Sequence, residues 1–371
     1  MSDTAIIAQT RPQSAARAAL LLQSFRAQWI FFVIPVLYMA TTAWLLRDMP
    51  EAKVAPVRAI VWSMITLTIP AGLIAIFFFR IGQYVLVLKP ESPSRQMIAD
   101  IRGVFRNPAV LFTGWPVLLA MVLFNKSMLE LKPMIPLLNP FSWDTTLAEW
   151  DRTLHFGYNP WELLQPLLAH DGVTFAVNNF YNFWFVALFG SFMWFGFASR
   201  MSVNRTQFFL AYMLAWWVGG GLLAVAFSSA GPVYYGNLGL TPDPFAPLMA
   251  YLYDVDARLP IWALDTQQLL WDGYTGKSMP IGISAFPSLH NASALIFALA
   301  TWKLSRGLGI AFGIYVVIIF LGSVHLGWHY AVDGYAGLAI AAISWWIAGI
   351  VARWYHARPE VTKLNEGLAS I

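Results

Sequence analysis

Residues 329–352 read HYAVDGYAGLAIAAISWWIAGIVA, and this stretch decides the fold that we predict for the chain. It is apolar apart from His329 and Asp333 at its start and the small polar Ser344. A membrane-spanning helix needs about 20 mostly apolar residues, so the stretch predicts a transmembrane helix that begins at a His-x-x-x-Asp motif. On that helix, His329 and Asp333 lie on one face within side-chain reach.

A second motif, Phe286-Pro287-Ser288-Leu289-His290, also stands where a polar loop gives way to an apolar run. It places a second imidazole at the start of a second helix, where the first backbone N–H groups form an anion site. A carboxylate can hold the proton of one imidazole nitrogen and leave the other nitrogen free as a nucleophile or base. Two histidines and an aspartate at a membrane edge therefore indicate phosphoryl-transfer chemistry without a metal.

The composition agrees with a membrane protein. Of 371 residues, 58% are hydrophobic and only 11% are charged, whereas soluble domains carry about 25% charged residues. The chain has no cysteine, which excludes disulfides, thiolate metal sites and cysteine nucleophiles. The net charge of +4 is small and dispersed, so we predict no nucleic-acid partner.

The apolar runs predict an all-α, polytopic bundle of about eight transmembrane helices. The predicted spans are 29–46, 57–79, 109–125, 178–198, 207–229, 287–304, 308–325 and 329–352. The loops between them alternate between a basic and an acidic side, which by the positive-inside rule places both termini in the cytoplasm. Both histidine motifs then face outward, to the periplasm of a bacterium or the lumen of a eukaryotic organelle.

We predict four regions in one continuous bundle. They are a cytoplasmic N-terminal tail (1–28), two additional spans with a cytoplasmic loop (29–107), a catalytic transmembrane core (108–352) and a cytoplasmic C-terminal tail (353–371). The tail is interpreted as a mobile basic segment, with a surface-lying amphipathic helix over 15–25 as the alternative. The outer segment 126–177 predicts short interfacial helices, and 230–286 predicts a structured loop beside the site.

Each candidate residue also has an explanation that involves no catalytic role. His290 alone is typical of a helix cap or an interface residue, and Ser288 is a natural cap. His329 and Asp333 could form a buried ion pair that braces the bundle, although an ionisable pair inside a span indicates function by default. His325, one turn earlier, either faces the site or marks the loop. A metal site of His290, His325 and His329 is conceivable, but no ligand-type spacing supports it, so we predict neither metal nor cofactor.

The two motifs together resemble those of the type 2 phosphatidic acid phosphatase superfamily. Pro287-Ser288-Leu289-His290 is similar to its PSGH-type second motif, with Leu for Gly, and His329-Tyr330-Ala331-Val332-Asp333 is similar to its third motif. The third motif is most similar to that of inositol phosphorylceramide synthases and sphingomyelin synthases. The resemblance covers roughly residues 110–352 and implies a six-helix phosphatase-like core.

The resemblance also implies roles for the matching residues. His329 would be the nucleophile that forms a phosphohistidine, and Asp333 would orient it. His290 would protonate the leaving group and then deprotonate the acceptor. Asp151-Arg152-x-Leu154, through Gly157 and Pro160, is similar to a further element of the synthase branch.

The chain departs from the family pattern at its phosphate-binding cations. Gly322 and Ser323 stand where the phosphatases usually have Ser-Arg, and no KxxxxxxRP first motif is present. Candidates to replace these cations are Lys277 and Arg258 in the outer loop. Together with Ser288 and His325, the remaining predicted substrate-binding residues are Tyr234 and Tyr235 of the Gly231-Pro232-Val233-Tyr234-Tyr235 turn.

We therefore predict a metal-independent enzyme that moves a phosphoryl group or phospho-headgroup between membrane lipids, with sphingolipids and phospholipids as the substrate classes that the synthase branch implies. A lipid phosphate phosphatase, with water as acceptor, is the alternative within the same superfamily. A transporter with a protonatable His–Asp pair is the alternative of another class.

Overall fold

Apolar segments of this chain form helices because a backbone in lipid must satisfy its polar groups internally. The computed structural model describes residues 17–49, 62, 66 and 69–370, and these residues contain no strand. The predicted all-α class is confirmed. The helices are α1 (Arg17–Ala27), α2 (Ile30–Leu45), α3 (Ile69–Gln83), α4 (Pro93–Arg106), α5 (Pro108–Leu131), α6 (Ile135–Leu138), α7 (Asp144–Leu154), α8 (Pro160–Leu168), α9 (Asp171–Asn182), α10 (Trp184–Gly196), α11 (Val203–Trp217), α12 (Ala246–Asp256), α13 (Trp262–Tyr274), α14 (Leu289–Trp302), α15 (Arg306–His325), α16 (Ala331–His356) and α17 (Pro359–Ala369).

Among the described residues, four helical segments are long and apolar enough to cross a membrane. They are Pro108–Leu138, Val203–Ala226, Arg306–His325 and Ala331–His356, and the bent pair α1–α2 makes a fifth if it is counted as one span. The chain is therefore an integral membrane protein, while the count of eight spans stays a prediction. The first part of the predicted span 57–79 lies outside the described residues.

Three expectations differ from the structure. Residues Arg17–Ala27 form a helix rather than a mobile tail, and the Ser24 hydroxyl donates to the Phe112 carbonyl at 2.5 Å. The predicted span 178–198 is divided between α9 and α10, with a break at Phe183. The predicted span 287–304 has its helix over 14 residues only, because Pro287 precedes it and Ser288 caps it. At 1.5 Å per residue, that helix is about 21 Å long.

The core of the bundle is the packing of α16 along α11 and of α14 against α15 and α16. Two glycines on α16 permit the closest of these contacts. A Cβ at Gly334 would lie 2.6 Å from Phe320 of α15, and a Cβ at Gly337 would collide with the carbonyl of Ser288. Small residues at these positions therefore bring the start of α14 against the start of α16.

A buried arginine joins the first helices to this core. Arg205 is 1% exposed, and its guanidinium donates to Gln28 Oε1 at 3.0 Å, to the Thr113 carbonyl at 2.8 Å and to the Phe195 carbonyl at 2.7 Å. These acceptors lie next to α2, in α5 and in α10. One side chain thereby links four parts of the bundle at the end where α5 and α11 begin.

Candidate active site

His329 and Asp333 lie together at the start of α16. His329 stands in the connection that follows α15, two residues before α16, and Asp333 is the third residue of the helix. His329 Nδ1 is 3.3 Å from Asp333 Oδ2, which also accepts the Tyr330 N–H at 3.0 Å. His329 is thus outside the helix, not in its first turn as predicted. The pair forms nevertheless, because Asp333 reaches back as a cap of its own helix.

His290 lies beside this pair. It is the second residue of α14, and its ring centroid is 6.4 Å from that of His329. Tyr181 stacks on the His290 ring at 4.9 Å, and Trp184 packs on it at 4.2 Å. The structure therefore brings both histidines and the aspartate into one site with aromatic walls.

Backbone hydrogen bonds between distant segments hold this site. The Ala285 N–H donates to the Ser229 carbonyl at 2.9 Å, and the Ser288 N–H donates to the Asp333 carbonyl at 2.9 Å. Gly231, two residues after Ser229, adopts φ +102°, and a Cβ there would lie 2.8 Å from the Trp328 carbonyl. Only glycine fits this close approach, so the segment before His290 and the segment before His329 are locked against the same turn.

Two buried carboxylates of α7 bind the Gly231 turn and the start of α16. Asp144 accepts the Gly231 N–H at 2.8 Å and the Tyr330 hydroxyl at 2.9 Å. Asp151, seven residues later, accepts the N–H groups of Ala331 and Val332 at 2.7 and 2.8 Å, and so caps α16. Burial raises the pKa of Asp151 to about 7 and also raises the pKa of Asp144, against the opposite effect of these N–H donors.

In the sequence, both aspartates belong to the acidic outer segment 126–177, and Asp151 is also part of the family-like element. Their spacing of seven residues puts them on one face of α7, which is the signal for a shared partner.

Lys132 is the cation that the sequence interpretation missed. It follows α5, is partly buried, and interacts electrostatically with both His290 and His329. Within the described part of the chain, no carboxylate lies within ion-pair distance of it. A signal was available, because Lys132 is followed seven residues later by Asn139-Pro140, which differs from KxxxxxxRP only in Asn for Arg.

The two cations that we predicted instead lie at the surface and face carboxylates. Arg258 Nε is 2.7 Å from Asp171 Oδ2, and a second guanidinium nitrogen is 2.8 Å from Asp254. Lys277 is largely exposed, and its Nζ is 3.9 Å from Asp272. The structure therefore gives no support to either as a replacement for the phosphate-binding cations.

The other predicted binding residues have structural contacts. Ser288 is fully buried and caps α14, and His325 is fully buried, with Nε2 2.9 Å from Thr174 Oγ1. The Tyr234 hydroxyl donates to the Gln267 carbonyl at 2.8 Å, while Tyr235 packs on Phe245. None of these contacts presents a polar atom to the histidine pair, so their predicted roles in substrate binding lack support here.

Across the described residues, no group of three or more His, Asp and Glu side chains is arranged to hold a metal ion. His290, His325 and His329 do not converge as a ligand set. The His325 ring is bound to Thr174, whereas the other two rings share the aromatic-walled site.

Comparison with known proteins adds a family match. The family model described as the PAP2 superfamily matches residues 145–347, more than half of the chain. The matched region includes Asp151, His290, His329 and Asp333, and Lys132 precedes it. No curated protein and no solved structure matches the chain.

Proposed function

Because the chain belongs to the PAP2 superfamily, whose chemistry is phosphatase- or phosphotransferase-type, we propose that it is a lipid phosphotransferase. It would move a phosphoryl group or a phosphate-bearing headgroup from a lipid phosphoester to a hydroxyl acceptor. The observation that carries this proposal is the His329–Asp333 contact of 3.3 Å with the His290 ring beside it.

His329 is the nucleophile in this proposal. Asp333 holds the proton of Nδ1, so the lone pair of Nε2 is available to attack phosphorus. A phosphorus–nitrogen bond forms as the bond from phosphorus to the leaving lipid oxygen breaks. The product of this first step is a phosphohistidine and a lipid alcohol.

His290 moves the proton in both half-reactions. In its protonated form it donates a proton to the leaving oxygen, and it is then neutral. It next removes the proton of the acceptor hydroxyl, whose oxygen attacks the phosphohistidine and restores His329. The ring-centroid distance of 6.4 Å puts both imidazoles within reach of one phosphoryl group.

Lys132 balances the charge of the phosphate. Its charge acts on both imidazoles, and it has no carboxylate partner in the described chain, so its ammonium is available for an anion. Phosphoryl transfer depends mostly on positioning and charge stabilisation, which a lysine at this place supplies.

The aromatic walls favour a hydroxyl acceptor over water. Tyr181 and Trp184 cover the faces of the His290 ring, and Trp328 stacks on Tyr181 with ring centroids 6.4 Å apart. Apolar rings around the general base restrict bulk water and suit a lipid alcohol. The synthase-like third motif agrees, with a lipid phosphate phosphatase as the alternative in the same family. Sphingolipid or phospholipid alcohols are the acceptor class that we propose.

Product analysis in oxygen-18 water separates the two reactions. Purified enzyme is incubated with mixed phospholipids and candidate lipid alcohols, and the products are measured by mass spectrometry. We expect a new phosphodiester or phosphomonoester of the acceptor without the heavy oxygen. Release of free phosphate or a phosphorylated headgroup that carries oxygen-18 would identify the hydrolase instead.

Two variants test whether the reaction belongs to this site. His329→Ala should yield no product and no trapped phosphoenzyme. His170→Ala removes an exposed histidine and should behave as wild type. Full activity in His329→Ala would overturn the proposal.

A further inference from the structure

A cavity lies at the end of the bundle opposite the histidines. It has a volume of about 700 Å³ and lies between the start of α5, the connection before α11 and the C-terminal helix α17. The helix α5 runs from this cavity to Lys132 through 24 residues. At 1.5 Å per residue, α5 is about 36 Å long, close to the thickness of a membrane, so the cavity and Lys132 lie at opposite ends of this helix.

The cavity is cationic and lacks acidic residues. Arg106 and Arg200 line it, are exposed, and form no ion pair or side-chain hydrogen bond within the described residues. No aspartate or glutamate is among the lining residues. Two unpaired guanidinium groups facing one cavity are suited to a phosphate group, which they can bind through paired N–H donors.

Apolar residues form part of the lining of this cavity. Ala109, Met201 and Leu368 line it beside the polar Asn107, Ser202 and Asn365, and the three apolar residues are buried. The cavity therefore combines a cationic rim with a partly apolar lining. That combination matches a phosphate carried on a lipid better than a phosphate free in water.

The helix that supplies Arg106 has the character of a membrane-surface helix. On α4, Arg95, Arg102 and Arg106 follow each other at spacings of seven and four, so they share one helical face. Ile98 and Ile101 lie beside this face, and each is 50% exposed. A helix with a basic face and neighbouring exposed apolar residues is suited to the interface, where its cations meet anionic headgroups.

We infer that this cavity is a binding site for the anionic, phosphate-bearing headgroup of a membrane lipid. The site is separate from the active site and does not rest on the proposed reaction. Arg106 and Arg200 bind the phosphate, and the apolar part of the lining receives the first carbons of the lipid. The loop charges predict that this face is cytoplasmic, so the lipid belongs to the inner leaflet.

Native mass spectrometry of the full-length purified protein tests the inference. The probes are phosphatidylglycerol as the anionic lipid, phosphatidylcholine as the zwitterionic lipid, and inorganic phosphate as a soluble competitor. The wild-type protein should retain one more phosphatidylglycerol than the double variant Arg106→Gln/Arg200→Gln. Loss of two cations should weaken binding about tenfold or more.

The matched control is Arg306→Gln/Lys363→Gln, which removes two exposed cations from outside the cavity and from outside the basic face of α4. It should retain lipid like the wild type, as should Arg106→Lys/Arg200→Lys, which keeps both charges. Equal losses in the two glutamine variants, or equal retention of phosphatidylcholine, would contradict a specific site. Displacement of the lipid by inorganic phosphate at equal concentration would refute the lipid as the ligand.

Discussion

The two histidines occupy different positions relative to Asp333, and their substitutions should differ accordingly. Asp333 contacts His329, whereas His290 is held by aromatic rings and can exchange a proton. His290→Ala should therefore abolish turnover of alkyl phosphoesters but spare much of the activity toward a p-nitrophenyl ester, whose leaving group needs little protonation. General acid catalysis is typically worth about 10²–10⁴-fold, which sets the expected gap between the two substrates.

Steady-state rates for both substrates measure this gap. His329→Ala is the comparison, because it should lose activity with either leaving group. Equal losses for His290→Ala on both substrates would mean that His290 binds phosphate and transfers no proton.

The ammonium of Lys132 should contribute to substrate binding. A hydrogen bond to a charged group is worth about 1.5–3 kcal/mol, so Lys132→Gln should lower kcat/KM by about 10–100-fold. Lys126→Gln is the control, because Lys126 lies on α5 six residues before Lys132 and is paired with Glu130 at 2.6 Å. If both variants had the same kinetics, the phosphate-binding role of Lys132 would be wrong.

Metal independence is a further prediction at the level of single residues. Lys132, His290 and His329 supply the charge, the proton and the nucleophile that a metal ion would otherwise assist. Turnover should be unchanged after dialysis against a chelator, measured in metal-free buffer. Loss of activity that zinc or magnesium restores would contradict this prediction.

The helix α7 joins two segments that form the site. Its two buried carboxylates bind the turn at Gly231 and the first N–H groups of α16, so one helix positions both sides of the site. The benefit of this arrangement depends on pH, because burial raises the pKa of Asp151 from 3.8 to about 7. The nearby Asp333 also raises the pKa of Asp151, and His155 lowers it.

The sign of the pH effect follows from linkage. The folded protein binds the Asp151 proton more tightly than the unfolded chain does, so stability should rise as pH falls from above 7 towards about 4. Each unit of this pKa shift corresponds to about 1.4 kcal/mol. Asp151→Asn cannot titrate, so its melting temperature should lack this rise relative to wild type.

Thermal melts of the purified protein at about pH 5 and about pH 8 measure the difference. Glu149→Gln, which removes an exposed carboxylate of the same helix, should keep the wild-type pH dependence. A pH-independent difference between wild type and Asp151→Asn would show that Asp151 does not titrate in this range.

The orientation of the whole molecule is open to a labelling experiment. The chain has no cysteine, so each introduced cysteine is a single site. Asn237 follows α11 on the side of the histidines, Arg306 begins α15 at the opposite end, and both are exposed. Loop charges predict that Asn237→Cys is labelled from outside and Arg306→Cys only from inside by a membrane-impermeant maleimide. Labelling of both from one side would overturn the predicted topology.

The sequence by itself determined the features that depend on local spacing or on transfer to lipid. Long apolar runs predict helices because lipid leaves no other partner for the backbone, and this class was confirmed. A separation of four residues brings His329 and Asp333 together whether or not His329 is inside the helix. The family motifs also depend on local spacing, so the sequence alone contains them. The match to residues 145–347 confirms the superfamily, whereas the synthase branch stays a prediction.

Only the tertiary structure decided which distant residues complete the site. The charge of Lys132 acts on two histidines that lie more than 150 residues later in the sequence, while Arg258 and Lys277, closer to His290 in sequence, face carboxylates. The spacing of Asp144 and Asp151 puts them on one face of α7, but their partners are N–H groups that α16 and the Gly231 turn present. Hydrophobic periodicity indicates which face of a single helix is buried, but not which helix packs against that face. The partner that a buried charge meets depends on how the helices pack.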